Sequence, residues 1–322
     1  MKAAVYEKYG PPEVVFIREV QKTAPEDNEI LLKVYSSTVN RTDAGFRSAV
    51  YVISRFFSGL FHPKRQILGS DFAGVIEAVG KNVRSFQAGE KIFGFSDQKF
   101  GGHAEFMTIA EDDAIAHMPS SASFAQAAAL PEGAHYALSN IRAAKVKAGQ
   151  DVMVYGATGA IGSAAVQLLK HFGAKVTAVC NTKNIELIKG LGADEVIDYQ
   201  TQDFSKTEKR FDFIFDAVGK SSFGACKPLL KPKGIYISTE LGKNSENIWR
   251  SITTSFSGGK RLMFPLPETK KEDMVLLATL FEQGEFKPVI DRSYSLDQIV
   301  EAYQYVESGQ KTGNVVLEIL SE

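Results

Sequence analysis

A short apolar segment that runs into a glycine-rich turn and then into a helix-like segment constrains the fold of this chain most. Asp151–Tyr155 predicts a buried strand, and Ile161–Phe172 has the apolar spacing of a helix that ends before Gly173. The turn between them, Gly156–Gly162, has the spacing A-x-G-x-x-G, with Ala157 where the usual fingerprint has its first glycine. This order favours a dinucleotide-binding α/β fold, and a tight turn in another α/β fold is the alternative.

Each position of the turn has a physical role in holding a pyrophosphate. Gly159 allows the backbone to approach the phosphates, and Gly162 allows the helix to pack closely on the strand. The helix N-terminus presents free N–H groups and the positive end of its dipole to the phosphates. The predicted phosphate contacts are Ala157, Thr158, Gly159, Ala160, Ile161 and Gly162.

The end of the next predicted strand, Lys175–Cys180, bears on which dinucleotide binds. The residues that follow it, Asn181–Asn184, lack the Asp or Glu that usually holds the ribose hydroxyls of NAD. Lys183 is placed to meet a 2′-phosphate, with hydrogen bonds from Asn181 and Asn184, so we expect NADP(H) as the cofactor. The alternative is that Lys183 is a solvated lysine at a helix start.

The chain changes character before and after the turn. Short strand-like runs separated by turn residues precede it and predict an irregular barrel: Ile30–Tyr35, Phe72–Val79, Lys91–Phe95 and Ala104–Ile109. Strands alternate with helices after it and predict a doubly wound parallel sheet; the later strands are Glu195–Tyr199, Phe211–Ala217 and Gly234–Ser238.

The C-terminal part returns to mixed structure. Glu272–Gln283 predicts a helix, Ser295 and Gln298 form a capping box that begins another, and Val315–Ile319 predicts a last strand. We therefore predict one domain from residues 1–118 and 265–322 and a second from residues 119–264, with a substrate cleft between them.

Composition and charge argue against several classes of protein. The 322 residues are 44% apolar and 23% charged, which is ordinary globular composition, and the net charge of −1 does not favour a nucleic-acid or membrane partner. The N-terminus lacks the long apolar region of a signal peptide, so we expect a cytoplasmic protein. Cys180 and Cys226 are expected to be buried free thiols, with one disulfide as the formal alternative. The histidines show no zinc-ligand spacing, so we predict no metal.

Taken together, these segments resemble the medium-chain dehydrogenase/reductase superfamily, in its zinc-free quinone oxidoreductase and enone reductase branch. The resemblance covers nearly the whole chain and rests on the nucleotide turn and on five further segments: Ser37–Asp43, Gly69–Ile76, Gly101–Phe106, Leu191–Tyr199 and Gly313–Leu317. It implies a GroES-like β-barrel domain packed on a Rossmann domain, usually in a homodimer.

The resemblance also implies roles for residues of the catalytic site. Asn40 resembles the asparagine that replaces a catalytic zinc ligand, and Ser70 stands where zinc enzymes carry a histidine ligand. Tyr51 resembles an active-site tyrosine, and Asp43 lies in the same loop as Asn40. Asn40 and Tyr51 can donate hydrogen bonds to a developing oxyanion. The alternatives are a turn residue for Asn40, a packing aromatic for Tyr51 and a loop-capping acid for Asp43.

For the cofactor, the resemblance implies contacts along its whole length. Tyr199 resembles the tyrosine that lies against the adenosine end. Val218 and Leu241 belong to loops that border the ribose and the nicotinamide, and Phe264 and Asn314 lie where the returning chain reaches the nicotinamide.

The function expected from these observations is hydride transfer from NADPH to a quinone or an α,β-unsaturated carbonyl, without zinc. Two alternatives stay open at this point. One is a zinc-free alcohol or aldehyde dehydrogenase of the same superfamily, and the other is an NADPH-binding protein without enzymatic activity.

Overall fold

The structure is a computed structural model that describes residues 1–49, 55, 58–256 and 258–321. The chain forms two compact units, of which the first contains Met1–Glu132 and Thr269–Glu322 and the second contains Gly133–Glu268. In the described residues, no helix is long and apolar enough to cross a membrane. Cys180 and Cys226 are both free and buried, as the sequence predicts.

The first unit is built on a seven-stranded, mostly antiparallel sheet. The strands described in this unit are β1 (Lys2–Tyr6), β2 (Val15–Glu19), β3 (Glu29–Thr38), β4 (Asp71–Val79), β5 (Lys91–Phe95), β6 (Phe106–Ala110), β7 (Ile115–His117), β14 (Ile290–Ser295) and β15 (Asn314–Glu318). The sheet runs in the order β14-β15-β3-β4-β5-β7, with β6 also paired to β3, while β1 and β2 form a separate hairpin.

The strand β3 organises this unit because it pairs with β4, β6 and β15. Its side chains Ile30, Leu32 and Val34 are completely buried in one core, as the two-residue period of a strand requires. The helices Arg41–Ser48, Phe124–Ala128, Lys271–Glu282 and Ile299–Glu307 complete the unit, and the helix Pro131–Ala144 begins at its end.

The second unit is a doubly wound sheet of six parallel strands among its described residues. The strands are β8 (Asp151–Tyr155), β9 (Lys175–Cys180), β10 (Glu195–Asp198), β11 (Phe211–Asp216), β12 (Leu230–Ser238) and β13 (Arg261–Met263). The order β10-β9-β8-β11-β12-β13 places the reversal of strand order between β8 and β11, where such sheets bind their ligands at the carboxyl ends of the strands. The predicted parallel α/β sheet is confirmed.

Helices connect these strands, and the first, Ala160–His171, agrees with the predicted Ile161–Phe172 to within a residue at each end. The helices are Ala160–His171, Ile185–Gly190, Phe223–Cys226 and Glu246–Ser255. The sequence pattern missed the last two of these helices and the strands β2, β7, β13 and β14. The strand β13 has three residues, which is too short for an alternation of apolar and polar side chains to show.

The boundary between the units differs from the one that the sequence predicts at residues 118 and 119. Residues 119–132 group with the first unit. The reason is the helix Phe124–Ala128, whose Phe124 ring stacks on the Tyr35 ring of β3 with centroids 4.4 Å apart. This contact attaches the helix to the antiparallel sheet.

A close approach of backbone to backbone joins β8 to the helix that follows it. Gly156 has a φ of +79°, a conformation that favours glycine. A Cβ atom on Gly162 would lie 2.1 Å from the carbonyl oxygen of Gly156, so that no larger residue fits without moving the helix. Gly162 therefore has the packing role that the sequence predicts for it.

We expect Gly162→Ala to lower the free energy of unfolding by about 2 kcal/mol, because the added methyl group overlaps the Gly156 carbonyl. Gly190→Ala is the matched control, since a Cβ atom on this second helical glycine meets no atom within 4 Å. It should leave stability unchanged or raise it by up to about 1 kcal/mol through helix propensity. Denaturant unfolding measures both, and equal effects of the two variants would contradict the packing argument.

Candidate functional site

A buried polar cluster lies in the first unit where β3 ends and β4 begins. Asn40 is 3% exposed and caps the helix Arg41–Ser48. Its Oδ1 accepts a hydrogen bond of 2.8 Å from the Asp43 N–H, and the Asp43 carboxylate accepts one from the Asn40 N–H. This reciprocal pair is a capping box, so Asn40 is fixed by the helix that it begins.

The amide nitrogen of Asn40 is directed at two polar groups of the neighbouring strand. It donates to Ser70 Oγ at 2.8 Å and to Asp71 Oδ2 at 3.1 Å. The structure thus brings together Asn40 and Ser70, the two residues for which the family resemblance implies the positions of zinc ligands. An amide nitrogen has two hydrogens, and these two bonds use both of them. A substrate oxygen can therefore receive a hydrogen bond from Asn40 only if it replaces one of these bonds.

Asp43 lies beneath the same cluster and is completely buried. Its Oδ1 accepts hydrogen bonds from the Gly69 and Ser70 N–H groups at 3.1 and 3.2 Å. Burial raises the pKa of the Asp43 carboxyl to about 8, although these backbone N–H groups oppose the shift. Its contacts are those of a group that holds the Asn40 loop against the Gly69–Ser70 turn.

Asp71 is a member of the cluster that the sequence interpretation missed. Its Oδ2 accepts from Thr38 Oγ1 at 2.5 Å as well as from Asn40, whereas Oδ1 has no hydrogen-bond partner in the part of the chain that the structure describes. Burial raises the pKa of Asp71 well above its usual value, and the nearby Glu132 raises it further. Its position directly after Ser70 was the feature of the sequence that could have identified it as a member of the cluster.

Two further residues of the first unit, Tyr51 and Asn314, were predicted to belong to the site. Tyr51 lies outside the residues that the structure describes. Asn314 is the first residue of β15, and its side-chain amide donates to the Val289 carbonyl oxygen at 3.0 Å. That hydrogen bond shows how the strand is anchored, and a contact of Asn314 with a cofactor stays a prediction.

In the second unit, the turn after β8 has the properties of a pyrophosphate site. The N-cap of the helix Ala160–His171 is Gly159, which has no side chain to cap the first N–H groups of the helix. A Cβ atom on Gly159 would have one neighbour, at 3.9 Å, so this position faces open space, while Ala157 is buried beneath it. Thr158 and Ile161 complete the turn. These residues fit a dinucleotide because phosphate oxygens need free N–H donors at a helix N-terminus.

The segment after β9 is ordered by its own side chains. Asn184 is buried and donates to Asn181 Oδ1 at 2.7 Å, whereas Lys183 is exposed. The sequence interpretation found no acid here, but the fold supplies one from the next strand. Asp198, at the end of β10, accepts from the Thr182 hydroxyl at 2.6 Å and from the Gln200 N–H at 3.0 Å. Asp198 lies 16 residues after Thr182, so the sequence around Lys183 does not show it. The two residues meet because the adjacent parallel strands β9 and β10 end at the same edge of the sheet.

The remaining predicted cofactor residues of this unit lie along the same edge of the sheet or beside it. Tyr199 is half exposed and lines a cavity of about 450 Å³ together with Tyr155 and Phe204. Leu241 is half-buried in the loop after β12. Phe264 directly follows β13 and packs against the hydrophobic core of this unit. Val218 follows β11 and touches the turn itself, since a Cβ atom on Gly156 would lie 2.5 Å from its methyl group.

A parallel sheet with an uncapped phosphate-binding turn at its switch point defines a dinucleotide-binding protein. The comparisons with known proteins make this more specific. Residues 26–140 match the family model of the alcohol dehydrogenase GroES-like domain, and residues 191–317 match that of a zinc-binding dehydrogenase.

Individual relatives extend the match to the whole chain. A 2-methylene-furan-3-one reductase from Solanum lycopersicum is 33% identical over 330 residues, which cover 98% of this chain and 79% of the relative. A chloroplastic NADPH-dependent alkenal/one oxidoreductase from Arabidopsis thaliana is 29% identical, with coverages of 98% and 79%. The structure of the quinone oxidoreductase from Coxiella burnetii superimposes with a TM-score of 0.88 at 26% identity, covering 99% of both chains.

The chain belongs to the medium-chain dehydrogenase/reductase family, in the branch of its quinone and enone oxidoreductases. It is an oxidoreductase enzyme with a GroES-like domain and a Rossmann-like domain, and the predicted fold class and family are confirmed.

His103 makes the stability of the first unit depend on pH. Its Nε2 donates to the Thr38 carbonyl oxygen at 2.8 Å, and burial lowers its pKa to about 4. Between pH 6.5 and pH 4, the unfolded chain therefore binds a proton at His103 that the folded chain does not bind. We expect the free energy of unfolding to fall by up to about 3 kcal/mol between pH 6.5 and pH 4 on this account.

Denaturant unfolding at pH 7 and pH 4.5 of the wild type and of His103→Gln, which keeps a donor for Thr38, tests this. The loss of stability on acidification should be smaller in the variant. The same substitution at the exposed His62 should leave the loss unchanged, and a wild-type loss in His103→Gln would refute the assignment.

Proposed function

We propose that this protein is an NADP(H)-dependent oxidoreductase that transfers hydride to a quinone or to an α,β-unsaturated carbonyl compound without zinc. The observation that carries the proposal is the uncapped helix N-terminus behind the Gly156–Gly162 turn, at the switch point of the sheet. The names of the relatives, which include a 2-methylene-furan-3-one reductase, an alkenal/one oxidoreductase and a quinone oxidoreductase, support the choice of acceptor.

The chemistry divides between cofactor and protein. NADPH, when bound, supplies the hydride. The turn Gly156–Gly162 holds the pyrophosphate, and Val218, Leu241, Phe264, Asn314 and Tyr199 are the proposed neighbours of the rest of the cofactor. Asn40, with Tyr51 as its proposed partner, is the proposed hydrogen-bond donor to the oxygen that gains negative charge. Asp43 holds the loop that carries Asn40.

Independence from zinc is part of the proposal and rests on the chemistry of the donor atoms. Zinc sites in proteins use Cys, His, Asp and Glu side chains. Here an amide and a hydroxyl stand at the two matched positions, and they hydrogen-bond to each other at 2.8 Å. A homodimer and a cytoplasmic location are also proposed, the first from the family resemblance and the second from the two free, buried cysteines, which suit a reducing compartment.

Preference for NADPH over NADH is proposed because Lys183 is an exposed cation at the end of β9. Asp198 is the group that opposes this preference, since an acid near the ribose usually favours NAD. Both oxygens of its carboxylate already accept hydrogen bonds, one from the Thr182 hydroxyl and one from the Gln200 N–H. The exposed ammonium group of Lys183 is then the charge that meets a 2′-phosphate.

The activity is tested by following NADPH oxidation with a panel of quinones, 2-alkenals, enones and, in the reverse direction, simple alcohols with NADP⁺. We expect turnover with at least one quinone or enone and none with the alcohols, before and after dialysis against a zinc chelator. Alcohol oxidation faster than enone reduction would favour a dehydrogenase. Cofactor binding without turnover of any acceptor would favour a non-enzymatic NADPH-binding protein.

The cofactor preference is tested by Lys183→Ala. Loss of one charge-assisted contact should raise the Kd of NADPH roughly tenfold and leave that of NADH within about twofold. Lys189→Ala is the matched control, because Lys189 is an exposed lysine of the next helix that pairs with Glu186. Fluorescence titration measures both constants, and equal effects of Lys183→Ala on NADPH and NADH would contradict the proposed role.

A further inference from the structure

The carboxylate of Asp216 gathers the segment that follows β11. Its Oδ1 accepts hydrogen bonds from the Val218 and Gly219 N–H groups at 3.2 and 2.8 Å. Its Oδ2 accepts from the Ser221 N–H at 2.9 Å and from the Tyr236 hydroxyl of β12 at 3.0 Å. Asp216 and Tyr236 are both completely buried. One buried acid therefore fixes three backbone groups of residues 217–221.

The same segment is tied to the strands on both sides of β11. The Ala217 N–H donates to the Tyr155 carbonyl oxygen at the end of β8, at 3.0 Å. The Thr239 N–H, at the end of β12, donates to the Asp216 carbonyl oxygen at 3.1 Å. Residues 217–221 consequently begin at the carboxyl edge of the sheet, beside the switch point.

Val218 carries the effect of this arrangement to the phosphate-binding turn. Its two methyl groups lie 2.5 and 2.6 Å from where a Cβ atom on Gly156 would be, so Val218 packs directly on the glycine backbone. Gly156 has a positive φ and begins the turn that carries Gly159 and Gly162. If the segment moved, the turn would lose the side chain that packs against its first residue.

We propose that Asp216 is a positioning residue for the dinucleotide, which holds Val218 against Gly156 and so keeps the pyrophosphate-binding turn in its binding conformation. Asp216 acts through the segment 217–221 and not by contact with the acceptor substrate. The inference rests on the proposed function, because it assumes that the turn binds NADP(H).

A carboxylate suits this role because all four of its partners are donors. An asparagine has the same shape, but its NH₂ group would face two of these donors, so half of the hydrogen bonds would be lost. Burial raises the pKa of Asp216, while the four donors favour its charged form. Asp216→Asn thus changes the hydrogen bonds of the segment with little change in packing volume.

The test is the Kd of NADPH from fluorescence titration, together with KM and kcat for the best acceptor found. Asp216→Asn should raise both the Kd and the KM of NADPH at least about tenfold, while kcat at saturating NADPH stays within about threefold of the wild type. A general loss of folded protein lowers kcat at a constant KM, so this division separates positioning from instability. Tyr236→Phe removes one of the four bonds and should raise the Kd about threefold.

Asp194→Asn is the matched control. Asp194 accepts hydrogen bonds from the Val176 N–H and from Lys170 at the other end of β9, so it has no contact with the segment 217–221. This variant should leave the Kd of NADPH unchanged even if it lowers the melting temperature.

The outcomes distinguish the inference from the proposed function. Wild-type protein that binds no NADPH overturns the proposed function itself. Wild-type binding with a Kd within about twofold in Asp216→Asn overturns the positioning role alone. If Asp216→Asn does not fold, Tyr236→Phe decides: a Kd raised about threefold supports the role, and an unchanged Kd overturns it.

Discussion

The contact between Gly162 and the carbonyl of Gly156 joins the helix after β8 to the strand before it, and the second unit is arranged around this contact. It leaves no space for a side chain, so the helix N-terminus starts directly above the end of the strand. The free N–H groups of the helix are then presented at the switch point of the sheet. Val218 packs on Gly156 of the same turn, and through this contact we propose that the segment after β11 belongs to the phosphate site.

The first unit follows a different principle, in which polar groups satisfy one another inside the protein. Asn40 caps a helix with its oxygen and binds Ser70 and Asp71 with its nitrogen. Such an amide is held in one orientation, which suits a group that must donate to a charge that forms during the reaction. In the proposed reaction, Asn40 would exchange one of these bonds for a hydrogen bond to the acceptor oxygen.

Periodicity and turn chemistry predicted the second unit well because its contacts are local. The strands β8, β9 and β11 have apolar runs that a helix pattern interrupts, and glycine marks the turns between them. The same signals were weaker in the first unit, where β3 pairs with β15, a strand that lies about 280 residues away in the chain. The Phe124–Tyr35 stacking, which places the helix Phe124–Ala128 in the first unit, has no signature in the sequence.

By itself, the sequence determined the parallel α/β unit, the strand, turn and helix around Gly156–Gly162, and the family. These depend on residue types at fixed short spacings, where local geometry dictates what each residue can do. The tertiary structure decided which acids stand beside the site. Asp198 meets Thr182, and Asp216 meets Tyr236, because neighbouring parallel strands end at one edge of the sheet although they are separated in the chain. Burial, which raises the pKa of Asp43 and lowers that of His103, is likewise a property of the folded chain alone.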